Sequence, residues 1–276
     1  MKKVIYWAVI AVLVAVFIYS GYSLISYYAD SQKSEQAYEE LAQLVVDRPT
    51  IPLPKSDEEP TVPAETEPEQ VLITVRDPKT GGTTQVLPEY IQLYTRNSDL
   101  VGWLSIDGTK INYPVMQTGI DNPNYYLERS FEKKYSVHGS IYINEAADVF
   151  KPSDNLTFYG HRMSDDSMFA QLGQYTDKAF WESHQYIRFD SLRERHLYQV
   201  ICVFSTSAYK EDGFLFHEFV DAADEAEFDA FIQQCKAMSY YDTGITAQFG
   251  DKLISLCTCE YTHDNGRLVV VAKRIG

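Results

Sequence analysis

The chain has 276 residues, 45% of them hydrophobic, which suffices for one sizeable folded domain with accessory segments and is too little for two large enzyme domains. Its 24 Lys and Arg against 39 Asp and Glu leave a formal charge of -15, and no stretch interleaves basic with aromatic residues, which excludes nucleic acid as a partner. Much of the acid lies between Asp57 and Glu69 and between Glu211 and Asp229, and such runs read as solvated faces.

From Val4 to Ile25 the chain runs VIYWAVIAVLVAVFIYSGYSLI without a charge, and at a helical rise of about 1.5 Å per residue this is enough to cross a bilayer. Lys2 and Lys3 precede it, which favours a cytoplasmic N-terminus and an outward-facing remainder. A cleaved signal peptide competes with this reading, but the run is longer than an h-region and no convincing A-x-A site follows. Tyr22, Tyr27 and Tyr28 fall where an outer interfacial belt belongs. The spacing of Ala37, Leu41, Leu44 and Val45 predicts an amphipathic helix over Ala29 to Val46. The segment RPTIPLPKSDEEPTVPAETEPEQ, rich in Pro and Glu, then predicts an extended spacer from Arg48 to Gln70. The organisation expected is an anchor over residues 1–28, a helical stalk and linker over 29–85, and a catalytic domain over 86–276. The stalk offers no acid, base or nucleophile constellation.

A short helix is predicted near Pro88 to Asn97. Strand-like segments follow, VGWLSI, INYPVMQ, GSIYIN and NLTFYG, and later YIRFD, HLYQVICVFSTSAY, DKLISLCTC and RLVVVAK. Helical interruptions are expected at Ser167 to Gln174, at Asp177 to His184, and at Ala223 to Met238, where Phe228, Phe231, Ile232 and Cys235 recur at helical spacing. The fold class is therefore mainly β with helical insertions, read as a closed or nearly closed barrel behind a transmembrane helix and stalk.

The four cysteines, Cys202, Cys235, Cys257 and Cys259, are too few and too irregular for a disulfide scaffold. In a strand Cys257 and Cys259 stand about 6.5 Å apart at Cα, near the upper limit for a disulfide, and free thiols are expected. The strand LISLCTC enters the polar loop EYTHDNG and returns as RLVVVAK, the pattern of a hairpin that brings Cys259 and Arg267 together across the loop. A fixed cation lowers the energy of a thiolate, and Arg, always protonated, can hold a carbonyl or an oxyanion but cannot act as base. NLTFYG ends at His161, an imidazole leaving a strand end towards a cleft. It is the preferred acid/base partner, since the departing amine of an amide needs a proton.

These segments together resemble a family. SLCTCEY with Arg267 beyond it, YGHRM after NLTF, and the earlier VGWLSI, INYPV, DNPNYYL and HGSIYIN are similar to class B sortases over about Glu89 to Gly276. The resemblance implies an eight-stranded sortase-type β-barrel with Cys259 as nucleophile, His161 as base and Arg267 as the arginine. It implies that the helix from Ala223 to Met238 is the one inserted before the nucleophile strand. It also implies a reaction: an NPxTN-like C-terminal sorting motif of surface proteins is cut after its threonine through a Cys thioester. The protein is then transferred to a cell-wall or pilin amine. Leu127, Phe214, Leu215 and Cys257 match substrate-contacting positions, and the backbone N–H of Glu260 matches an oxyanion donor. Ser255 replaces the first Thr of the T-L-x-T-C pattern, and Cys257 fills its variable position, so the fine fit to substrate differs.

Plainer readings stand beside these. Cys202 and Cys235 read as inert buried thiols, and His138, His184, His196, His217 and His263 as structural histidines. A metal site at Cys257, Cys259 and His263 lacks a fourth ligand and a recognisable spacing, and no metal or other cofactor is expected. Two other functions share the residues: a surface-anchored cysteine protease with water as acceptor, and an inactive sortase-like adhesion module.

Overall fold

In the computed structural model, which describes residues 2–54, 70–208, 213–260 and 266–276, a single helix α1 covers Lys2–Gln43. Residues 55–69 of the expected spacer and His263 lie outside the described residues. The apolar part of α1 is long enough to cross a membrane, and its Val9, Phe17 and Leu24 side chains are exposed. Its last turns change character. Tyr38, Leu41 and the nearby Val45 are buried in the main core, while Ala37 is exposed, so the amphipathic stripe is present with Tyr38 on it in place of Ala37. Tyr27 is half-buried, whereas Tyr22 and Tyr28 are exposed.

Arg48 continues the attachment. Its Nη2 donates to Ser105 Oγ at 2.9 Å, its Nε lies 3.5 Å from the Asp190 carboxylate, and its guanidinium stands 5.8 Å from the Trp103 ring centroid. Asp190 is buried and accepts from Tyr90 Oη at 2.7 Å. Burial raises its pKa, against the pull of Tyr90 and Arg48. Removing residues 1–70 therefore strips Tyr38, Leu41 and Val45 from the core, at about 1.5–3 kcal/mol each, and takes the cation from a buried carboxylate. A chain beginning at Val71 is expected to melt about 10 °C or more below one beginning at Asp30. Equal melting temperatures by circular dichroism would show that residues 30–70 contribute no stability.

Strands β1 (Ile73–Arg76) and β2 (Thr83–Val86) pair as an antiparallel hairpin. Its turn passes through Gly81 at φ 73, a conformation that favours glycine. This hairpin falls in the last part of the expected stalk and linker over 29–85. A 3-10 turn at Pro88–Tyr90 leads into α2 (Ile91–Arg96), as predicted near Pro88 to Asn97.

The expected strands all form: β3 (Leu100–Ser105), β4 (Asn112–Met116), β5 (Ile141–Ile143), β6 (Asn155–Tyr159), β7 (Tyr186–Ser191), β8 (Arg195–Ser207), β9 (Leu253–Glu260) and β10 (Gly266–Arg274). They close into an eight-stranded barrel in the order β10-β8-β7-β3-β4-β5-β6-β9. The β4–β5 and β6–β9 pairs are parallel and the others antiparallel. Alternation along β9 and β10 divides their side chains. Ile254, Leu256, Leu268 and Val270 join the main core, where Phe158 and Phe189 meet edge to face at 4.9 Å. Cys257, Val269 and Val271 join a second cluster with the helix that precedes β9, Glu225–Met238, which is α4.

Helix α4 starts where its cap allows. The Asp224 carboxylate accepts from Glu227 N at 3.0 Å, while Glu227 Oε2 accepts from Ala223 N at 2.8 Å. Phe228, Phe231, Ile232 and Cys235 form its buried stripe. The predicted helix from Ser167 to Gln174 is a 3-10 segment at Ala170–Thr176, and α3 (Lys178–Ser183) follows, capped by Asp177.

Candidate active site

The hairpin of β9 and β10 places Cys259 directly opposite Arg267. Both are half-buried, and Arg267 Nη1 donates to the Gly266 carbonyl at 2.9 Å. The register therefore sets a thiol and a guanidinium on directly facing positions at the end of the hairpin. Glu260 ends β9 opposite Gly266. Cys257 lies on the same face of β9 as Cys259 but is buried, and pairs with Val269. Its thiol is pushed up to about 12, chiefly by burial, with Arg267 pulling down and Cys259 pushing up. All four cysteines are free.

The histidine is placed by a different route. Strand β6 runs parallel to β9 with Tyr159 beside Cys257. The alignment continues past the end of β6: Gly160 N donates to Cys257 O at 3.2 Å, and Thr258 Oγ1 donates to Gly160 O at 2.9 Å. His161 follows Tyr159 by two positions, as Cys259 follows Cys257, so the loop that begins at His161 leaves the sheet next to the β9 residue that precedes Glu260. Gly160 allows close packing here, since a Cβ would stand 2.5 Å from Ile141 Cδ1 and 2.6 Å from the Phe169 ring. His161 Nε2 lies 2.7 Å from the Leu127 carbonyl. A carbonyl only accepts, so Nε2 carries the hydrogen and Nδ1 is the nitrogen left for proton exchange.

Leu127 itself sits in the 3-10 turn Tyr125–Glu128, with its side chain 39% exposed. The sequence offered it as a substrate contact, and the structure adds its backbone as the acceptor for His161. Phe214 and Leu215 arrive from the opposite side. Phe214 N donates to Thr206 Oγ1 at 2.8 Å, and Thr206 is the cross-strand partner of Arg267. The Phe214 ring is half-buried, 5.7 Å from Phe231 on α4 and 5.9 Å from Phe204, while Leu215 leads into the turn Phe216–Glu218. The structure thus pairs Cys259 with Arg267, seats His161 on the Leu127 carbonyl just past the end of the strand beside β9, and ties Phe214 to Thr206, the other neighbour of Arg267, with Cys257 buried further into the sheet.

Several residues near this end of the hairpin escaped the sequence pattern. The rings of Tyr142 and Tyr159 lie 5.2 Å apart, and both phenols are pushed up by burial and by the neighbouring Cys257 thiol. Burial lowers the His217 pKa; the field of Glu218 opposes this, and Arg267 lowers it further. Asn144 Nδ2 donates to the His217 carbonyl at 3.0 Å, tying the Phe214 loop to the end of β5. Tyr159 had a usable signal, since it stands two positions before His161 in the strand. The others come together only through barrel closure. Among the described residues no group of three or more His, Cys, Asp or Glu side chains is placed to hold a metal.

The comparisons with known proteins agree with the fold. A sortase-domain family model matches residues 104–275. Sortase B of Listeria monocytogenes is 32% identical over 198 residues, covering 69% of this chain and 76% of that protein. Sortase B of Staphylococcus aureus is 27% identical over 265 residues, covering 95% and 93% respectively. The structure of Bacillus anthracis sortase B in complex with AAEK1 superposes with a TM-score of 0.67 at 27% identity, over 90% of this chain and 98% of that one. With its eight-stranded barrel, its helix α4 packed beside the last hairpin and this extent of match, the chain belongs to the sortase family, as a class B cysteine transpeptidase.

Proposed function

We propose that Cys259 is the nucleophile, His161 the acid/base and Arg267 the group that holds the reacting carbonyl. The observation that carries this is the register: Cys259 on β9 pairs with Arg267 on β10, and β9 runs parallel to β6, which ends two residues before His161. The Cys259 thiol yields its proton to Nδ1 of His161 as its sulfur attacks the carbonyl of the substrate threonine, and the tetrahedral oxyanion is steadied by Arg267 and the Glu260 N–H. As the C–N bond breaks, His161 gives its proton to the departing amine, leaving a thioester on Cys259. An acceptor amine then attacks the thioester, His161 takes the amine's proton and returns it to the departing Cys259 sulfur as the C–S bond breaks, and the free thiol is left with a new amide bond formed.

The substrate in this reading is a surface protein carrying a C-terminal NPxTN-like sorting signal, and the acceptor is an amine of a cell-wall precursor or a pilin. Two solved relatives support the outline, a Staphylococcus aureus sortase B–substrate complex and a sortase B complexed with triglycine. Helix α1 serves as the membrane anchor, and Lys2 and Lys3 favour a cytoplasmic N-terminus with the barrel outside.

Amine dependence tests the transfer step. An NPxTN-like peptide should be cut slowly alone, and added triglycine should raise turnover and end amide-linked to the threonine, with ping-pong kinetics. If triglycine over a wide concentration range neither raises turnover nor enters the product while the free threonine acid forms, water is the acceptor and the chain acts as a protease. A complete absence of peptide turnover and of acylated Cys259 in mass spectra would favour an inactive adhesion module.

A further inference from the structure

His161 opens a loop that folds back on itself, with Phe169 N donating to His161 O at 2.9 Å and Arg162 bridging Met168. The middle of this loop meets α1. Tyr27 Oη lies 2.7 Å from Ser164 Oγ, and Ser31 Oγ donates to the Asp165 carboxylate. That carboxylate also accepts from Ser167 N at 3.0 Å and Ser167 Oγ at 2.6 Å, and lies 3.0 Å from Nε2 of the buried His138. The Tyr27 ring stacks against His138 with centroids 6.3 Å apart. Burial works against ionisation of Asp165, but the hydrogen bonds from Ser167, Ser31 and His138 prevail and hold its carboxyl well below the usual range.

Farther along the same helix, Tyr38 Oη donates to Gly139 O at 2.6 Å and lies 3.0 Å from Ser140 Oγ. Gly139 has φ 59, and a Cβ there would stand 2.3 Å from the Leu127 carbonyl oxygen. Residues 138–140 therefore rest on the very carbonyl that accepts the hydrogen of His161 Nε2. The helix grips both partners of one hydrogen bond: the loop of His161 through Tyr27 and Ser31, and the seat of Leu127 through Tyr38.

We propose that α1 is a positioning element of the active site, its turns beyond the apolar run holding the His161 imidazole on the Leu127 carbonyl through Tyr27, Ser31 and Tyr38. The helix that would tie the barrel to a bilayer thereby also sets the geometry of proton transfer. This rests on the reading of His161 as acid/base. A pinned Nε2–H keeps a single tautomer with Nδ1 free, and a displacement of about 1 Å at a reacting group can cost up to 10²-fold in rate.

The test uses the full-length chain in detergent micelles with a sorting peptide and triglycine. A Tyr27→Phe/Ser31→Ala double variant should lose about tenfold in kcat with KM for the peptide essentially unchanged and the melting temperature unmoved. Tyr38→Phe, which keeps the packing and loses the hydroxyl, should show the same split. A Tyr27→Phe/Ser31→Thr variant, which keeps a hydroxyl at position 31 where the double variant has none, should retain most of the rate. Unchanged kcat in both variants would overturn the proposal, as would a loss of activity that tracks a fall in melting temperature or a rise in KM alone. A His161→Ala control separates the two levels. If it stays active, the acid/base reading fails and the proposal with it; if it is inactive while the α1 variants keep full rate, only the proposal fails.

Discussion

Replacing Cys259 by Ala should abolish peptide cleavage and leave the circular dichroism spectrum and melting temperature close to those of the unaltered chain. The side chain is half-buried at a sheet rim, so its loss opens little space in the core. Cys257→Ser should retain activity to within about threefold, because its thiol is buried beneath the rim and pushed up to about 12, where almost none is thiolate at neutral pH. Iodoacetamide at pH 8 should accordingly label Cys259 and spare Cys257, with the carboxamidomethyl group located by peptide mass spectrometry. A dead Cys257→Ser enzyme together with an active Cys259→Ala enzyme would exchange the two assignments. Labelling of Cys257 in the folded protein would show that its burial does not protect it.

The next largest effect is expected at Arg267. An ammonium carries the same charge on a flexible stem and cannot present two parallel N–H groups, so Arg267→Lys should lose more than about tenfold in kcat/KM. Arg267→Ala removes a preorganised donor from the place where negative charge develops, and a loss of about 10²–10³-fold in kcat is expected. Single-turnover thioester formation, followed by mass spectrometry of the acylated chain, separates this from a defect in acceptor binding. A Lys variant acylating at full rate would remove Arg267 from the mechanism.

The pattern of legibility follows from which interactions are local. Every barrel strand could be read, because runs such as NLTFY and LVVVAK alternate or carry β-branched residues over lengths only a strand uses. The pairing of Cys259 with Arg267 was equally readable, since a hairpin loop fixes its own register. The place of His161 beside them was not, because it depends on a parallel pair whose strands lie far apart in the chain, and there the family resemblance supplied the assignment. Tyr142, Asn144 and His217 were missed for the same reason. The docking of α1 was half legible. Leu41 and Val45 carried the amphipathic signal, but Ala37 was read on the stripe where Tyr38 lies, and nothing in its neighbours reveals that Tyr38 reaches Gly139.

The parallel pairing of β6 with β9 has a consequence for the order in which reactivity arises. Asn155 pairs with Leu253, and Thr258 reaches back to Gly160 across 98 positions, so the chain must close a long loop before these strands can meet. Contacts of that separation form slowly relative to local hairpins. A chain emerging N-terminus first holds its imidazole long before its thiol, and the thiol finds the imidazole only when the final pair of strands zips into the gap between β6 and β8. With the roles proposed for His161 and Cys259, reactivity towards amides arises only at that moment, as the barrel is completed.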